Sequence, residues 1–268
     1  MKKLALIGKD LSYSKSKEIH NFICKELGFE IKYDYFSIPK AEDLENTVNV
    51  LLQSYDGFNV TIPYKESIIK YMSQLCKDAE KYKSVNTVLC DNKQGYNTDG
   101  RGFMLMFRSE NVNVKDKDIL VLGSGGAAKS CIYKLIEGGG RVDVYNRTYE
   151  KVVALFNLYG GFNPLKELKI KKYDIIVNTT SVGMGSLEGV LPTDKQLIEK
   201  AEVLVDLIYK PEKTAFLEYG NKLNKKIVNG EKMLFFQAYY ADLLYFYIEG
   251  QDKQAEEIFL KYKGEIKQ

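Results

Sequence analysis

The sequence predicts an α/β protein built from two units of modest size. Short apolar runs alternate with stretches of helical spacing along most of the chain. A length of 268 residues with 45% hydrophobic side chains allows one large domain or two smaller ones, with a real core. Residues 118–130, DILVLGSGGAAKS, pass from an apolar strand through a glycine turn into a helix start. A strand, a tight turn and exposed helix N–H groups together form a cradle for a pyrophosphate, which marks a Rossmann-type dinucleotide-binding unit.

The elements follow in order. Residues 2–8 make a short apolar strand, and residues 15–28 have helical spacing that stops at Gly28. Residues 31–38 (IKYDYFSI) alternate as a strand should and end before Pro39. Residues 41–55 place Leu44, Val48, Leu51 and Leu52 on one helical stripe. Residues 57–61 (GFNVT) are strand-like and halt at Pro63, residues 66–83 are expected to be mostly helical, and residues 85–90 (VNTVLC) form another strand. These elements make a small α/β unit ahead of the glycine loop. No Pro/Gly/Ser-rich linker follows it, so a continuous element, a helix near 100–110, is expected to lead onward.

From residue 118 the pattern is βαβαβ, with strands expected at 118–122, 141–146, 173–178, 202–207 and 226–229. Residues 174–178 (DIIVN) are short and apolar, as a strand buried on both faces should be. In the glycine turn, Gly123 permits the tight bend and Gly125 lets the backbone approach a phosphate. Ala128 is the third small residue, where the helix packs on the strand. The next strand, residues 141–145 (RVDVY), ends in Asn146-Arg147-Thr148. An acidic side chain there would bind the ribose 2′-hydroxyl of NAD. This tip carries none. Arg147 offers a planar fork of donors for a phosphate, and Lys151 reaches the same place from the next helix's first turn, so NADP is favoured over NAD. Residues 233–249 read as a long aromatic helix whose tyrosines and phenylalanines are mostly core.

Composition narrows the remaining classes. The net charge is +3, from 39 basic and 36 acidic side chains, so no global field calls for a nucleic acid. The lysine-rich runs at 166–172 and 222–226 read as solvated faces. The N-terminal apolar run is too short for a signal peptide, and no segment approaches a membrane span, which points to the cytoplasm. Four scattered cysteines, with no C-x-x-C and no flanking histidine, argue against a metal site and for a reducing compartment. His20 is the single histidine and sits on a predicted helix as a structural residue. Proton transfer must then come from a lysine, a tyrosine or a carboxylate.

Polar residues cluster at strand ends in the first half. Ser14 and Ser16 lead into a helix; they could bind a carboxylate or hydroxyl, or simply cap the helix. Thr61 and Lys65 follow a strand, bracketing Pro63. A lysine held there, partly desolvated, can shuttle a proton. Asn86 and Asp99 stand at comparable positions, where Asp99 could orient the Lys65 ammonium. Alternatively Asn86 is a turn residue and Asp99 a helix N-cap.

Nine motifs then occur in one order: Ser14-Lys15-Ser16 with Ile19-His20-Asn21, NVTIPYKE (59–66), VNT (85–87), GYNTDG (95–100), GSGGAA (123–128), NRT (146–148), NTTSVGM (178–184), DLIYKP (206–211) and NGEKMLFFQA (229–238). On these the chain resembles the shikimate dehydrogenase family essentially end to end. The resemblance implies reversible NADPH-dependent reduction of 3-dehydroshikimate to shikimate, on the route to aromatic amino acids. It implies a discontinuous α/β substrate-binding domain, residues 1–100 plus 231–268, and a Rossmann-type NADP-binding domain, residues 101–230. Ser14 and Ser16 would hold the substrate carboxylate with help from Tyr209. Thr61, Lys65, Asn86, Asp99 and Gln237 would contact the ring hydroxyls and the reacting oxygen, with Lys65 as proton donor and acceptor and Asp99 as its partner. Gly123, Ser124, Gly125, Gly126 and Ala127 would cradle the pyrophosphate. Asn146, Arg147, Thr148 and Lys151 would receive the 2′-phosphate, and Leu207 and Gly230 would lie beside the nicotinamide. Lys17 stands where the family often has proline, and Lys77 where many relatives are acidic. The expected partner is a small-molecule substrate, with neither nucleic acid nor membrane, for a monomer or homodimer. Competing readings are a quinate/shikimate dehydrogenase with relaxed cofactor choice and a non-catalytic metabolite sensor; the presence of both Lys65 and Asp99 disfavours the sensor.

Overall fold

A computed structural model describes residues 1–266 of the chain. They fall into two compact units. The first comprises Met1–Leu105 and the chain from Leu234 onward, and the second Met106–Met233.

The first unit opens with β1 (Lys2–Gly8), α1 (Ser16–Glu26), β2 (Ile31–Ser37), α2 (Leu44–Ser54) and β3 (Gly57–Val60). It continues with β4 (Gln74–Leu75), α3 (Lys77–Tyr82), β5 (Thr87–Leu89), β6 (Gln94–Tyr96) and the start of α4 (Asp99–Ser109). The strands form one sheet in the order β2-β1-β3-β5-β6-β4. β1 pairs in parallel with β2 and β3, whereas β5 runs antiparallel to both β3 and β6. Alternation along β1 divides its side chains between two cores. Ala5 and Ile7 pack with Leu44, Val48 and Leu51 of α2. Leu4 and Leu6 pack with Tyr33, Leu89, Ala241 and Tyr245. Each leucine, isoleucine or valine among them, fully removed from water, contributes about 1.5–3 kcal/mol.

The helix expected over 66–83 is not continuous. A 3-10 turn at Ser67–Tyr71, β4 and α3 take its place. Met72 and Cys76 are extended, and the N–H groups of Ser73 and Cys76 donate to the carbonyls of Lys93 and Gly95, both at 2.9 Å. Pairing with β6 captures the backbone there, while Ile68, Ile69, Met72, Leu75 and Cys76 still reach the core. The helical spacing of these apolar residues marked a buried stripe rather than a helix.

The second unit holds β7 (Asp118–Leu122), α5 (Gly126–Glu137), β8 (Arg141–Tyr145), α6 (Tyr149–Tyr159) and β9 (Asn163–Leu165). After these come β10 (Ile175–Asn178), α7 (Lys195–Lys200), β11 (Val203–Asp206), α8 (Ala215–Lys222) and β12 (Lys226–Asn229). The sheet order is β12-β11-β10-β7-β8-β9, and every pair is parallel. The chain winds outward from β7 in one direction and then from β10 in the other, a doubly wound arrangement with its switch point between these strands. α9 (Glu231–Phe246) leads back into the first unit, followed by α10 (Asp252–Ile266). Phe235, Phe236, Tyr239, Tyr240 and Tyr245 of α9 are buried, as expected for core aromatics.

Candidate active site

Sheet direction explains how residues far apart in sequence meet in the first unit. β1 and β3 end at one edge of the sheet, so the segments after them, carrying Ser14, Ser16, Thr61 and Lys65, leave from that edge. β5 is reversed, so its beginning, at Asn86, lies there too. β6 reverses again and delivers Asn97–Asp99 to the same edge. Further backbone bonds lock this arrangement: Val60 N–H to Asn86 O at 2.9 Å, Asn86 N–H to Tyr96 O at 2.9 Å, and Val85 N–H to Lys65 O at 2.7 Å.

The centre of this edge is an ion pair. Lys65 Nζ lies 2.6 Å from Asp99 Oδ2, with the two side chains 15% and 6% exposed. Asp99 Oδ1 accepts from Asn86 Nδ2 at 2.9 Å. The same amide faces Thr98 Oγ1 at 2.9 Å and Gln237 Oε1 at 3.2 Å. Asn86 Oδ1 accepts from Thr98 N–H at 2.9 Å. Asp99 is the first residue of α4, where the helix dipole favours its negative charge. Asn86 is therefore a hub rather than a turn residue, and Asp99 presents its carboxylate to Lys65 and Asn86. The ammonium is held by one carboxylate and still reaches solvent, a disposition suited to exchanging a proton with a bound molecule.

Ser14 and Ser16 stand beside each other, with Oγ atoms 3.1 Å apart and Ser14 Oγ accepting from Ser16 N–H at 3.2 Å. Lys15 precedes α1 without a side-chain cap of its own, and Ser14 Oγ satisfies the N–H of the first helical residue. Tyr35 does the anchoring: its hydroxyl accepts from Lys17 N–H at 2.8 Å and donates to Ser14 O at 3.0 Å. Sequence reading missed this residue, since a half-exposed tyrosine on a strand carries no signature. Thr61 N–H donates to Ile7 O at 2.9 Å, which fixes its backbone beside β1. Gln237, on α9, joins the cluster through Asn86, and Gly102 makes this possible. A Cβ at Gly102 would stand 2.6 Å from Gln237 N. Tyr209 belongs to the second unit, three residues beyond β11.

In the second unit, Gly123, Asn146, Leu207 and Gly230 each directly follow a strand, β7, β8, β11 and β12. All strands being parallel, these residues share the carboxyl edge. Gly123 has φ +110, and a Cβ there would meet Thr179 Oγ1 at 2.5 Å, so the turn requires glycine. Gly125 and Gly126 face open space. No side chain caps α5 and no acidic residue occupies its first turn. Ser124 Oγ is buried with no hydrogen-bond partner. Free helix N–H groups, an orphaned hydroxyl and room beside two glycines fit the pyrophosphate of a dinucleotide. Asn146 Nδ2 donates to Thr148 O at 3.1 Å, which folds the tip after β8, while Arg147 and Lys151 are exposed. Nothing acidic occupies residues 146–149. Leu207 and Gly230 meet closely, since a Cβ at Gly230 would lie 2.0 Å from Leu207 O.

Asp206 braces this edge and was not singled out by the sequence. Its carboxylate is fully buried and accepts from Thr214 Oγ1 at 2.7 Å, Asn178 Nδ2 at 3.0 Å and Ile208 N–H at 3.1 Å. Burial pushes its pKa up to about 6, against the pull of these donors.

Among the described residues, no group of three or more His, Cys, Asp or Glu side chains could hold a metal ion. No helix among them is long and apolar enough to cross a membrane. Residues 6–88 match the family model of the shikimate dehydrogenase substrate binding domain, and residues 106–207 that of shikimate / quinate 5-dehydrogenase. The chain is 43% identical over 260 residues to the shikimate dehydrogenase (NADP(+)) of Caldicellulosiruptor bescii, covering 92% of this chain and 90% of that one. A crystal structure of shikimate dehydrogenase 1 from Peptoclostridium difficile superposes with a TM-score of 0.89 at 33% identity, covering 98% of each chain. The Thermus thermophilus shikimate 5-dehydrogenase, solved in complex with NADP(H) and shikimate, gives a TM-score of 0.87 at 29% identity, covering 96% of this chain and 98% of that one. With both halves matched and full-length relatives at this identity, the chain belongs to the shikimate dehydrogenase family.

Proposed function

We propose that this chain is an NADP-dependent shikimate dehydrogenase that interconverts 3-dehydroshikimate and shikimate in aromatic amino-acid biosynthesis. One observation carries the reading: a lysine and an aspartate 2.6 Å apart, mostly buried, at the sheet edge that also carries Ser14, Ser16, Thr61 and Asn86. NADPH, when bound, supplies the hydride for the carbonyl carbon. The oxygen left behind gains negative charge and needs a proton and a positive neighbour. Lys65 supplies both, and in the reverse direction it takes the hydroxyl proton back. Asp99 keeps the ammonium aimed and accepts from a ring hydroxyl. Ser14 and Ser16 hold the substrate carboxylate with Tyr209, while Thr61, Asn86 and Gln237 bind ring oxygens.

In this reading residues 1–100 plus 231–268 form the substrate-binding domain and residues 101–230 the NADP-binding domain. Gly123–Ala127 hold the pyrophosphate, with Ser124 Oγ satisfied by a phosphate oxygen. Asn146, Arg147, Thr148 and Lys151 bind the 2′-phosphate, and Leu207 with Gly230 flank the nicotinamide. The enzyme works in the cytoplasm as a monomer or homodimer on a small-molecule substrate. Four cysteines that form no disulfide support that compartment. The test is a matrix of initial rates for shikimate and quinate, each with NADP+ and NAD+. Shikimate with NADP+ is expected to give the highest kcat/KM. Preference for quinate or NAD+ would favour the broader dehydrogenase, and cofactor binding without turnover would favour a sensor.

A further inference from the structure

We infer that the buried His20–Asp242 pair is a positioning device, one that sets the placement of the substrate-side residues of the first unit. This rests on the dehydrogenase reading above. His20 Nδ1 lies 2.7 Å from Asp242 Oδ1, with the side chains 1% and 0% exposed. His20 stands one turn beyond Ser16 on α1, and Asp242 stands five residues beyond Gln237 on α9. A single bond thus ties together the two helices that carry Ser16 and Gln237.

A second connection runs from the same pair. The His20 ring stacks on Tyr33 at 4.7 Å between centroids and 15° between planes. The Tyr33 hydroxyl donates to Asn59 Oδ1 at 2.7 Å. Asn59 Nδ2 donates to Thr87 Oγ1 at 3.3 Å, and Thr87 Oγ1 donates to Asn86 Oδ1 at 2.9 Å. Asn86 Nδ2 holds Asp99 Oδ1, whose other oxygen meets Lys65. The interior histidine is therefore linked to the Lys65–Asp99 pair by one ring stack followed by a run of hydrogen bonds.

Stability alone does not account for this pair. Replacing both partners of a buried hydrogen bond with apolar groups of similar shape can be nearly neutral or stabilising. The surroundings are dry: burial raises the Asp242 carboxyl, and burial together with Asp242 pushes the Cys24 thiol well up. Tyr33 and Tyr245 close the remaining sides, with Tyr245 tilted against the imidazole at 6.5 Å. Such a group is costly to desolvate yet directional, which suits holding a geometry.

The experiment compares His20→Phe/Asp242→Leu with Asp242→Asn, which keeps the bond to Nδ1. The double variant is expected to keep a Tm at or above the parent's, while the KM for shikimate rises about tenfold and kcat falls. The KM for NADP+ should stay within twofold. Asp242→Asn should keep the shikimate KM within threefold. A folded double variant with the parent's shikimate KM and kcat would overturn the inference. If the double variant does not fold, Asp242→Ser, too short to reach Nδ1, takes its place against Asp242→Asn; equal shikimate KM values for these two overturn it. Amide hydrogen exchange of the ligand-free protein separates this proposal from the functional reading. Exchange at residues 14–18 and 84–99 should rise about tenfold in the variants that lose the bond, even if the parent itself proves inactive on shikimate, and unchanged exchange there overturns the inference in that case.

Discussion

Replacing Lys65 with methionine removes the ammonium while keeping most of the side-chain length. The structure sets what is lost. The Lys65 side chain is 15% exposed and its Nζ lies 2.6 Å from Asp99 Oδ2, so both a proton and a nearby positive charge disappear. A positioned acid or base typically contributes 10²–10⁴-fold, or about 3–5 kcal/mol of activation free energy at 1.36 kcal/mol per factor of ten. The remaining carboxylate is not stranded, because Asn86 still donates to Asp99 Oδ1 and the residue opens α4. Breaking a fully buried pair costs about 3–5 kcal/mol; with these supports, the folding cost here is about 1–3 kcal/mol. That corresponds to a Tm lower by roughly 2–12 °C for a chain of this size. The assay follows NADPH absorbance with 3-dehydroshikimate well below the variant's Tm, alongside NADPH binding by its fluorescence. We expect kcat to fall by about 10²–10⁴-fold and the NADPH Kd to stay within twofold. Adding Asp99→Asn should make the double variant no worse than the poorer single one, since paired groups act as a unit. A kcat within tenfold of the parent's, or a loss of NADPH affinity equal to the loss in rate, would refute the assignment.

Arg147→Ala should raise the KM for NADP+ about 10–100-fold, the worth of a charge-assisted hydrogen bond of about 1.5–3 kcal/mol, and leave NAD+ within threefold. An unchanged preference would show that the 2′-phosphate is read elsewhere. Gly102→Ala should lower Tm and raise the shikimate KM, because the new methyl would stand 2.6 Å from Gln237 N. Overpacking of this kind costs about 1–3 kcal/mol against a helix-propensity gain near 1 kcal/mol, so a stabilised variant would contradict the packing. Asp206→Asn tests the buried carboxylate. The folded pKa of about 6 lies above the ordinary 3.8, so the stabilisation that protonated Asp206 gives is fully present below pH 3.8 and is lost as pH rises through 6. The asparagine should therefore gain in Tm relative to the parent between pH 5 and pH 8, with Thr214 reversing its hydroxyl to accept. A constant difference across that range would show that Asp206 does not titrate there.

Legibility in the sequence followed the range of each constraint. The glycine turn was readable because its demands are local: a positive φ at Gly123 and space at Gly125. Strands of the second unit were readable because both faces are buried, so their sequences are simply apolar. Lys65 and Asp99 could be picked by residue type and position, but their meeting depends on β5 reversing direction between β3 and β6, which no local pattern encodes. The tie between Tyr35 and Lys17 N–H spans 18 residues, and the His20–Asp242 contact spans 222. Side chains of ordinary type at such separations leave no periodicity to read. Residues 66–83 misled in the opposite way, since helical spacing of Ile68, Met72 and Leu75 was satisfied by a 3-10 turn and an edge strand. The α10 stripe of Ala255, Ile258, Phe259 and Tyr262 has plain helical spacing and formed no part of the expectations.

The passage of the chain out through α4 and back through α9 has a bearing on synthesis. A ribosome delivers the first sheet complete long before it delivers Ala241 and Tyr245, which cover Leu4, Leu6, Tyr33 and Leu89. Until then that face of the newborn sheet is wet and adhesive. Meanwhile the intervening parallel unit has all its strands in hand and can fold as a closed excursion. The half that carries Lys65 is thus sealed last, and nicking or stalling in the final helices should leave a polypeptide able to recognise a nucleotide yet unable to settle the Lys65–Asp99 pair in its final place.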